Sequence, residues 1–562
     1  MKILTLHCDY IKFKPMKKAI KNSEELTDMT EKEVRDPLVV LTAVEAGDND
    51  ETVKEMVNSV EKTAKEVGAK NVVVYPYAHI SARLASPVTA LEYLTEATNA
   101  LRKKGFSVTR APFGYYKEFE LKCKGHPLSE LSKEFKGTDE IADENIAQLL
   151  NEVTRTKLDT SKLKDNDHRI LGQKLDLFSF NEAAPGSVFW HKHGMTIYNE
   201  LIKFSKELHE KAGYDEISTP QVLDNKLWKV SGHWQHYRDN MFVTNYEGRD
   251  FGMKPMNCPG MMLVYKSRTR SHKEMPLRLF EFGTVHRKEL SGVLAGLFRV
   301  IRFTQDDAHI FCSKEQIADE VKRVLEMFDI IYQKTFGFEY ALELSTRPEK
   351  FMGKKSDWDA SEKSLEDVMK KLKIKYKVNE GDGAFYGPKI DVHIKDSLGR
   401  SWQCATIQLD MQMSERFELE YAGSDNKPHR PIVIHRAIFG SIERFIAILL
   451  ESCNGALPTW LAPIQVRAIN FTDRNNKSVE KFVAELKKEI PGVRVEIDLE
   501  STSVGDKVRN AEMMRVPYII VIGDKEEAGG TLAVRARGEK PKFGIKKEDF
   551  FKELREKISL RK

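Results

Sequence analysis

Cysteine is scarce in this chain of 562 residues: six, at Cys8, Cys123, Cys258, Cys312, Cys404 and Cys453, none in a C-x-x-C pair. That excludes a disulfide-stapled secreted module and makes the cytoplasm the expected compartment. Long apolar runs are also missing. The longest, such as 38–44 and 518–522, are strand-sized, so no membrane span is expected. The opening MKILTLHCDYIKF lacks the apolar core of a signal peptide. No internal repeat or low-complexity tract is present. There is no G-x-x-x-x-G-K-[ST], and no G-x-G-x-x-G follows a strand pattern. Nucleotide binding by a P-loop or a Rossmann turn is therefore unsupported. Bound phosphate would have to be met by arginines on a sheet, because guanidinium is planar, permanently charged and able to grip two oxygens at once. Nor does one charge dominate: Lys and Arg number 90 against 85 Asp and Glu. The net excess of five matches that of 463–562, where 22 Lys/Arg face 17 Asp/Glu, which fits a terminal module that meets phosphate.

Core material is ample. Hydrophobic residues make up 41% and charged residues 31%, enough for three to five domains at about 100–200 residues each. Segment 1–138 alternates strand patterns (KILTLHCDYI, PLVVLTAVE, KNVVVYPYAHI, FSVTRAPFG) with helical spacing over 50–67 and 87–104, and reads as an α/β domain. Polar, charged 139–169 reads as a linker. Segment 170–462 mixes helical patterns (197–212, 314–336, 361–371) with strand-like runs in close succession, which favours α+β with an antiparallel sheet. Segment 463–562 returns to α/β alternation, with helices over 479–488 and 504–515.

Three pieces carry arginines in suggestive places. GYDEISTPQV leads from a helix into a strand through Pro220. GTVHRKE puts Arg287 and Glu289 two apart, hence on one face of a strand. HRAIFGSIERFIAILLE sets Gly440 and Arg444 at the start of an apolar helix. Each alone is ordinary surface charge. Their order and spacing resemble motifs 1, 2 and 3 of class II aminoacyl-tRNA synthetases. The surrounding KPMNCPGMM, FTQDDAHIFC, YGPKIDVHIKD and IHRAIFGSIERF resemble threonyl-tRNA synthetases, nearly without interruption over 167–537. In 1–138, PYAHISA and PFGYYKEFELKCKGHPLSELS resemble the archaeal type of N-terminal editing domain in that family.

The resemblance implies ATP-dependent attachment of L-threonine to tRNA(Thr) through a threonyl-adenylate, by a threonine–tRNA ligase acting as a homodimer. The domains would be 1–138 for editing, on a fold like that of D-aminoacyl-tRNA deacylases, 170–462 for class II catalysis and 463–562 for anticodon binding. Arg287 would hold the α-phosphate, Glu289 would read the adenine amino group, and Arg299 and Arg444 would hold the γ-phosphate region. Arg444 and Phe303 would sandwich adenine, Gln403 would contact the phosphates, and Mg²⁺ would travel with ATP. Cys258, His309 and His435, too far apart for spacing to nominate them, would bind one Zn²⁺ per subunit. Asp307, Tyr386 and Lys389 would line the threonine site.

A threonine site that demands a hydroxyl rejects valine but admits serine, since a missing methyl is worth only about 1–3 kcal/mol. A hydrolytic site for Ser-tRNA(Thr) is then expected. By resemblance it would use His79 and Lys117, with Tyr116 and Glu130 beside them. Glu526 and Arg535 match positions that read anticodon bases. There are departures. Met261 stands in NCPGM where many members have His, FWHKHG differs from the usual FWHPKG, and the H-x-x-x-H editing motif of bacterial members is missing.

Overall fold

The computed structural model describes residues 1–20, 23–26, 28–81, 83–135, 150, 163–395 and 399–561. The expected linker 139–169 lies mostly outside the described residues. The chain divides into two compact units, Met1–Asn151 and Glu152–Lys562.

The first unit is a seven-stranded sheet organised on one long strand, β1 (Lys2–Lys18). One side of β1 pairs with β2 (Lys32–Arg35) and β3 (Pro37–Ala43), and β3 continues in parallel to β4 (Asn71–Pro76) and β5 (Ser107–Arg110). The other side pairs with β6 (Tyr115–Cys123) and β7 (Glu130–Glu134). Helix α1 (Asp50–Glu66) starts at an Asn49–Thr52 capping box, and α2 (Pro87–Lys103) starts at an Ser86 cap with Pro87 in its first turn. Their apolar stripes, including Val53, Met56, Val57, Leu94 and Leu101, pack on Leu38, Val40, Val72 and Val74. The alternate residues Val39, Leu41, Val73 and Tyr75 pack with Cys8, Ile11 and Phe13. With both faces covered, β3 and β4 read as continuous apolar runs. By contrast β6 and β7 are polar and half exposed.

The second unit is built on an eight-stranded sheet. Its strands are β8 (Asp215–Glu216), β9 (Leu277–His286), β10 (Arg302–Cys312), β11 (Glu339–Ser345), β12 (Tyr376–Asn379), β13 (Lys389–Lys395), β14 (Ser401–Asp410) and β15 (Ile432–Ala437). The spatial order is β8-β9-β10-β15-β14-β13-β11-β12. The interior pairings are antiparallel, as expected, while both edge pairings are parallel. Helices α3 (Lys192–Lys211), α4 (Cys258–Lys266), α5 (Ile317–Phe328) and α6 (Ile442–Ser452) accompany it. Helix α6 is almost entirely buried, Glu443 and Glu451 included, as expected of a central helix.

A five-stranded sheet completes this unit. Its strands are β16 (Val466–Asn470), β17 (Val495–Asp498), β18 (Tyr518–Ile522), β19 (Thr531–Ala536) and β20 (Lys542–Lys546), ordered β17-β16-β18-β19-β20. The first two pairings are parallel and the last two antiparallel. Around it lie α7 (Asn476–Glu489), α8 (Val504–Met513), α9 (Asp524–Gly529) and α10 (Lys547–Ser559).

Candidate active site

A cavity of about 510 Å³ opens over the middle of the eight-stranded sheet. Arg287, Glu289, Arg299, Phe303, Gln403 and Arg444 all line it, as do Asp307, Tyr386, Cys258 and His435. Residues spread over 186 positions of sequence are thus brought together. Two predicted residues do not line it: His309 is buried behind it, and Lys389 is held aside by Asp391 (2.8 Å) and Asp382 (3.2 Å).

One local expectation is corrected. Arg287 and Glu289 do not sit on a strand, because β9 ends at His286. The backbone continues beside the partner segment, with Arg287 N donating to Ile301 O at 2.9 Å, and so both side chains still reach the cavity. Gly440, with φ +70°, turns the chain from β15 into α6; a Cβ there would meet Cys404 O at 2.4 Å. Ser441 caps α6 by accepting from Arg444 N at 3.0 Å, which sets the Arg444 side chain over the cavity.

Of the cationic groups, Arg299 is held by a carboxylate and the other two by carbonyls. Arg299 pairs with Glu289 at 2.8 Å, at a half-exposed position. Arg287 donates to Pro255 O at 3.2 Å and lies 5.0 Å over the Phe303 ring. Arg444 donates to Phe298 O (3.0 Å) and Gln403 O (3.2 Å). Gln403 in turn donates to Asp391 at 2.6 Å. Arginines that share carbonyls rather than full carboxylates keep most of their charge for an anion.

At the floor lie Cys258, His309 and His435, whose ligand atoms are all within 4.8 Å of one another. Sheet register explains the histidines: His309 on β10 is directly opposite His435 on β15, with ring centroids 4.4 Å apart. Cys258 arrives as the first residue of α4. All three are buried, and both ring nitrogens of His309 lack any hydrogen-bond partner. Burial pushes the Cys258 thiol well up and the His309 imidazole well down. An imidazole buried with neither nitrogen partnered is costly. A cation coordinated there would satisfy the orphaned nitrogens and stabilise the thiolate, so the residues fit a metal.

Asp307 borders this floor. Burial raises its carboxyl to about 6, although Asn257 Nδ2 donates to it at 3.0 Å. Gly283 makes room for Asn257, since a Cβ there would stand 2.2 Å from its side-chain oxygen. Tyr386 donates to Gln408 and lies 5.1 Å from the His435 ring. Asp306 faces away, accepting from Ile438 N and Phe439 N. Met261 is fully buried in the apolar cluster with Tyr265, Leu279 and Phe311, so it offers nothing to a ligand.

Sequence reasoning missed Asn257, Asp391, Gln408 and Asp410. The signal available was a polar residue inside an apolar strand: Asp391 in PKIDVHIKD, and Gln408 and Asp410 in SWQCATIQLD. All of these except the half-buried Gln408 are buried and engaged with residues around the cavity.

In the first unit the candidates are less united. Lys117 is half-buried, donates to Pro112 O (2.9 Å) and Tyr115 O (3.2 Å), and lies 5.0 Å over the Tyr75 ring. Burial lowers its ammonium to about 8. Tyr75 neighbours Tyr77, which neighbours the exposed His79, so one aromatic line links Lys117 to His79. Tyr116 points to solvent. Glu130 pairs with Leu6, whereas Lys117 pairs with Pro15. Nine residues of β1 separate those positions, roughly 30 Å along a straight strand, so Glu130 does not join Lys117 within the chain. On the five-stranded sheet, Glu526 lies in the first turn of α9 and accepts from Gly523 N at 3.1 Å. Arg535 on β19 pairs with Glu512 at 2.6 Å.

Comparison with known proteins gives a consistent result. Residues 1–135 match the model of the archaea-specific editing domain of threonyl-tRNA synthetase. Residues 242–453 match the class II core domain of tRNA synthetases for G, H, P, S and T, and 465–557 match an anticodon-binding domain. A threonine–tRNA ligase of Clostridium tetani is 52% identical over 398 residues, 71% of this chain and 62% of the relative. The chain therefore spans less than two thirds of that relative's length. The RNA-binding domain of threonyl-tRNA synthetase from Cryptosporidium parvum is 38% identical, with a TM-score of 0.67. That likeness covers 69% of this chain and 98% of the solved one. A prolyl-tRNA synthetase of Giardia lamblia, 21% identical with a TM-score of 0.57, covers 73% of this chain and 82% of its own, and shares the fold.

Proposed function

Because the chain belongs to the threonyl-tRNA synthetase family, we propose that it joins L-threonine to tRNA(Thr) at the expense of ATP and hydrolyses Ser-tRNA(Thr) in its N-terminal unit. The observation that carries the reading is the Cys258, His309 and His435 cluster at the floor of an arginine-lined cavity.

The threonine carboxylate is already ionised and needs no base to attack the α-phosphate. As the new bond to the α-phosphorus forms, the α–β P–O bond breaks and pyrophosphate leaves, and preplaced guanidiniums stabilise the charge that develops on it. Arg287 meets the α-phosphate, and Arg299 and Arg444 take the γ end, which Mg²⁺ bound to ATP also neutralises. For this the Arg299–Glu289 pair opens, freeing Glu289 for the adenine amino group. Arg287 moves off the Phe303 ring, so that adenine can stack between Phe303 and Arg444. Gln403, held by Asp391, contacts the phosphates.

One thiolate and two imidazoles suit zinc with an open position, and zinc held there would bind the amino and hydroxyl groups of threonine. Asp307 accepts the hydroxyl proton's hydrogen bond and Tyr386 lines the amino-acid pocket, which Lys389 reaches once it is released from Asp391 and Asp382. Valine cannot complete these contacts, whereas serine can. Serine therefore has to be removed afterwards. Lys117 steadies the oxyanion formed when water attacks the seryl ester, with His79 on the same aromatic line and Tyr116 in a lesser role, whereas Glu130 is set apart from them along β1. Glu526 and Arg535 read anticodon bases by their edges. We assign 1–138 to editing, 170–462 to activation and 463–562 to the anticodon, in a cytoplasmic homodimer.

The reading is tested by threonine-dependent exchange of pyrophosphate into ATP, in the wild type and in Arg287→Ala. Exchange that requires both threonine and Arg287 supports it. No exchange with any amino acid would leave only an RNA-binding protein.

A further inference from the structure

We propose that Asp410 is a positioning residue for the metal site: it holds the His435 ring and keeps its proton on Nε2, so that Nδ1 is the ligand nitrogen. This rests on reading Cys258, His309 and His435 as the metal ligands.

The placement follows from sheet register. Gln408 and Asp410 are two apart on β14 and share a face. Gln408 lies directly opposite His435 on β15, and Asp410 lies opposite Val433. Asp410 is thus the diagonal neighbour of His435 on that face, within reach of its ring. His435 Nε2 donates to Asp410 Oδ2 at 2.8 Å. The carboxylate is itself fixed. Its Oδ1 accepts from Gln412 N (2.7 Å) and Met413 N (3.0 Å), and the residue is fully buried.

A neutral imidazole carries one proton, and an acceptor at Nε2 keeps it there. The lone pair is then on Nδ1, the nitrogen left for a cation. His309 is different, since neither of its nitrogens has a partner. Of the two imidazoles, only the one on β15 is aimed before a metal arrives. In Asp410→Asn the two backbone donors still require an oxygen at Oδ1, which turns the amide nitrogen toward His435. That nitrogen donates to Nε2 and drives the proton onto Nδ1, where it blocks the ligand position.

The test is chelator competition for zinc in the full-length wild type and Asp410→Asn, with the absorption spectrum of the cobalt(II)-substituted proteins alongside. Zinc affinity in the variant is expected to fall about 10- to 100-fold, with an altered cobalt spectrum. Equal affinity and an unchanged spectrum in a folded variant would overturn the proposal. A second measurement needs no mutation: ¹⁵N histidine shifts of the zinc-loaded wild type should show His435 metal-bound at Nδ1 and protonated at Nε2. The opposite pattern would overturn it even if the variant does not fold. A wild type that binds no zinc would instead remove the metal reading itself.

Discussion

The cavity of the second unit and the Lys117 region of the first are built on different principles. The cavity is made by register: β10, β15 and β14 bring His309, His435 and Gln408 level across three neighbouring strands, and buried acids hold the groups around them. Lys117 is partly enclosed by carbonyls and an aromatic ring, while His79, Tyr116 and Glu130 are exposed. A preorganised site suits the stabilisation of developing charge on a triphosphate. An open one suits a bulky substrate brought in by tRNA and cleaved by water.

The sharpest way to break this comparison is to disable each side separately. Arg287→Ala should cut threonine-dependent pyrophosphate exchange by about 100- to 1,000-fold, while hydrolysis of supplied Ser-tRNA(Thr) continues. Lys117→Met should do the reverse, slowing that hydrolysis by about 100-fold with exchange unchanged, as read by release of labelled serine. If either variant lowers both activities equally, the two sites are not separate.

A pH series sharpens the Lys117 side. Burial sets its ammonium near 8, below the ordinary lysine value. The charged form stabilises an oxyanion, so hydrolysis should fall as pH rises through about 8, and Lys117→Met should lose that inflection. The stability effect runs the other way. The unfolded chain holds this proton up to a higher pH, so the destabilisation by the buried charge is greatest below 8 and is relieved above it. A rate that rises through pH 8 would make Lys117 a base instead.

Much of the cavity was legible in the sequence, because its residues lie in short, distinctive runs such as NCPGMM and DDAHIFC. Cys258 shows why resemblance was needed even there: a lone cysteine and two distant histidines give no spacing to read, and only the sheet makes them neighbours. Asp391 and Asp410 escaped because a carboxylate in an apolar strand looks like an edge residue until its partners are known. Strands β6 and β7 escaped because their charged residues read as solvated surface, although Phe119, Leu121 and Cys123 alternate with Glu118, Glu120 and Lys122. Glu130 was grouped with Lys117 by resemblance, whereas strand pairing sets them apart in one chain. The smallest expected effect concerns Met261. Since it is packed in an apolar cluster, Met261→Leu should cost less than about 1.5 kcal/mol in denaturant unfolding and leave exchange unchanged. A large loss of exchange would put that side chain back at the substrate.

The most direct test measures zinc content and amino-acid-dependent pyrophosphate exchange on the same preparations of wild type and Cys258→Ser. The wild type should carry one zinc per chain and exchange with threonine and serine but not valine, and the variant should lose zinc and exchange together. Full threonine-dependent exchange from zinc-free protein would contradict the account.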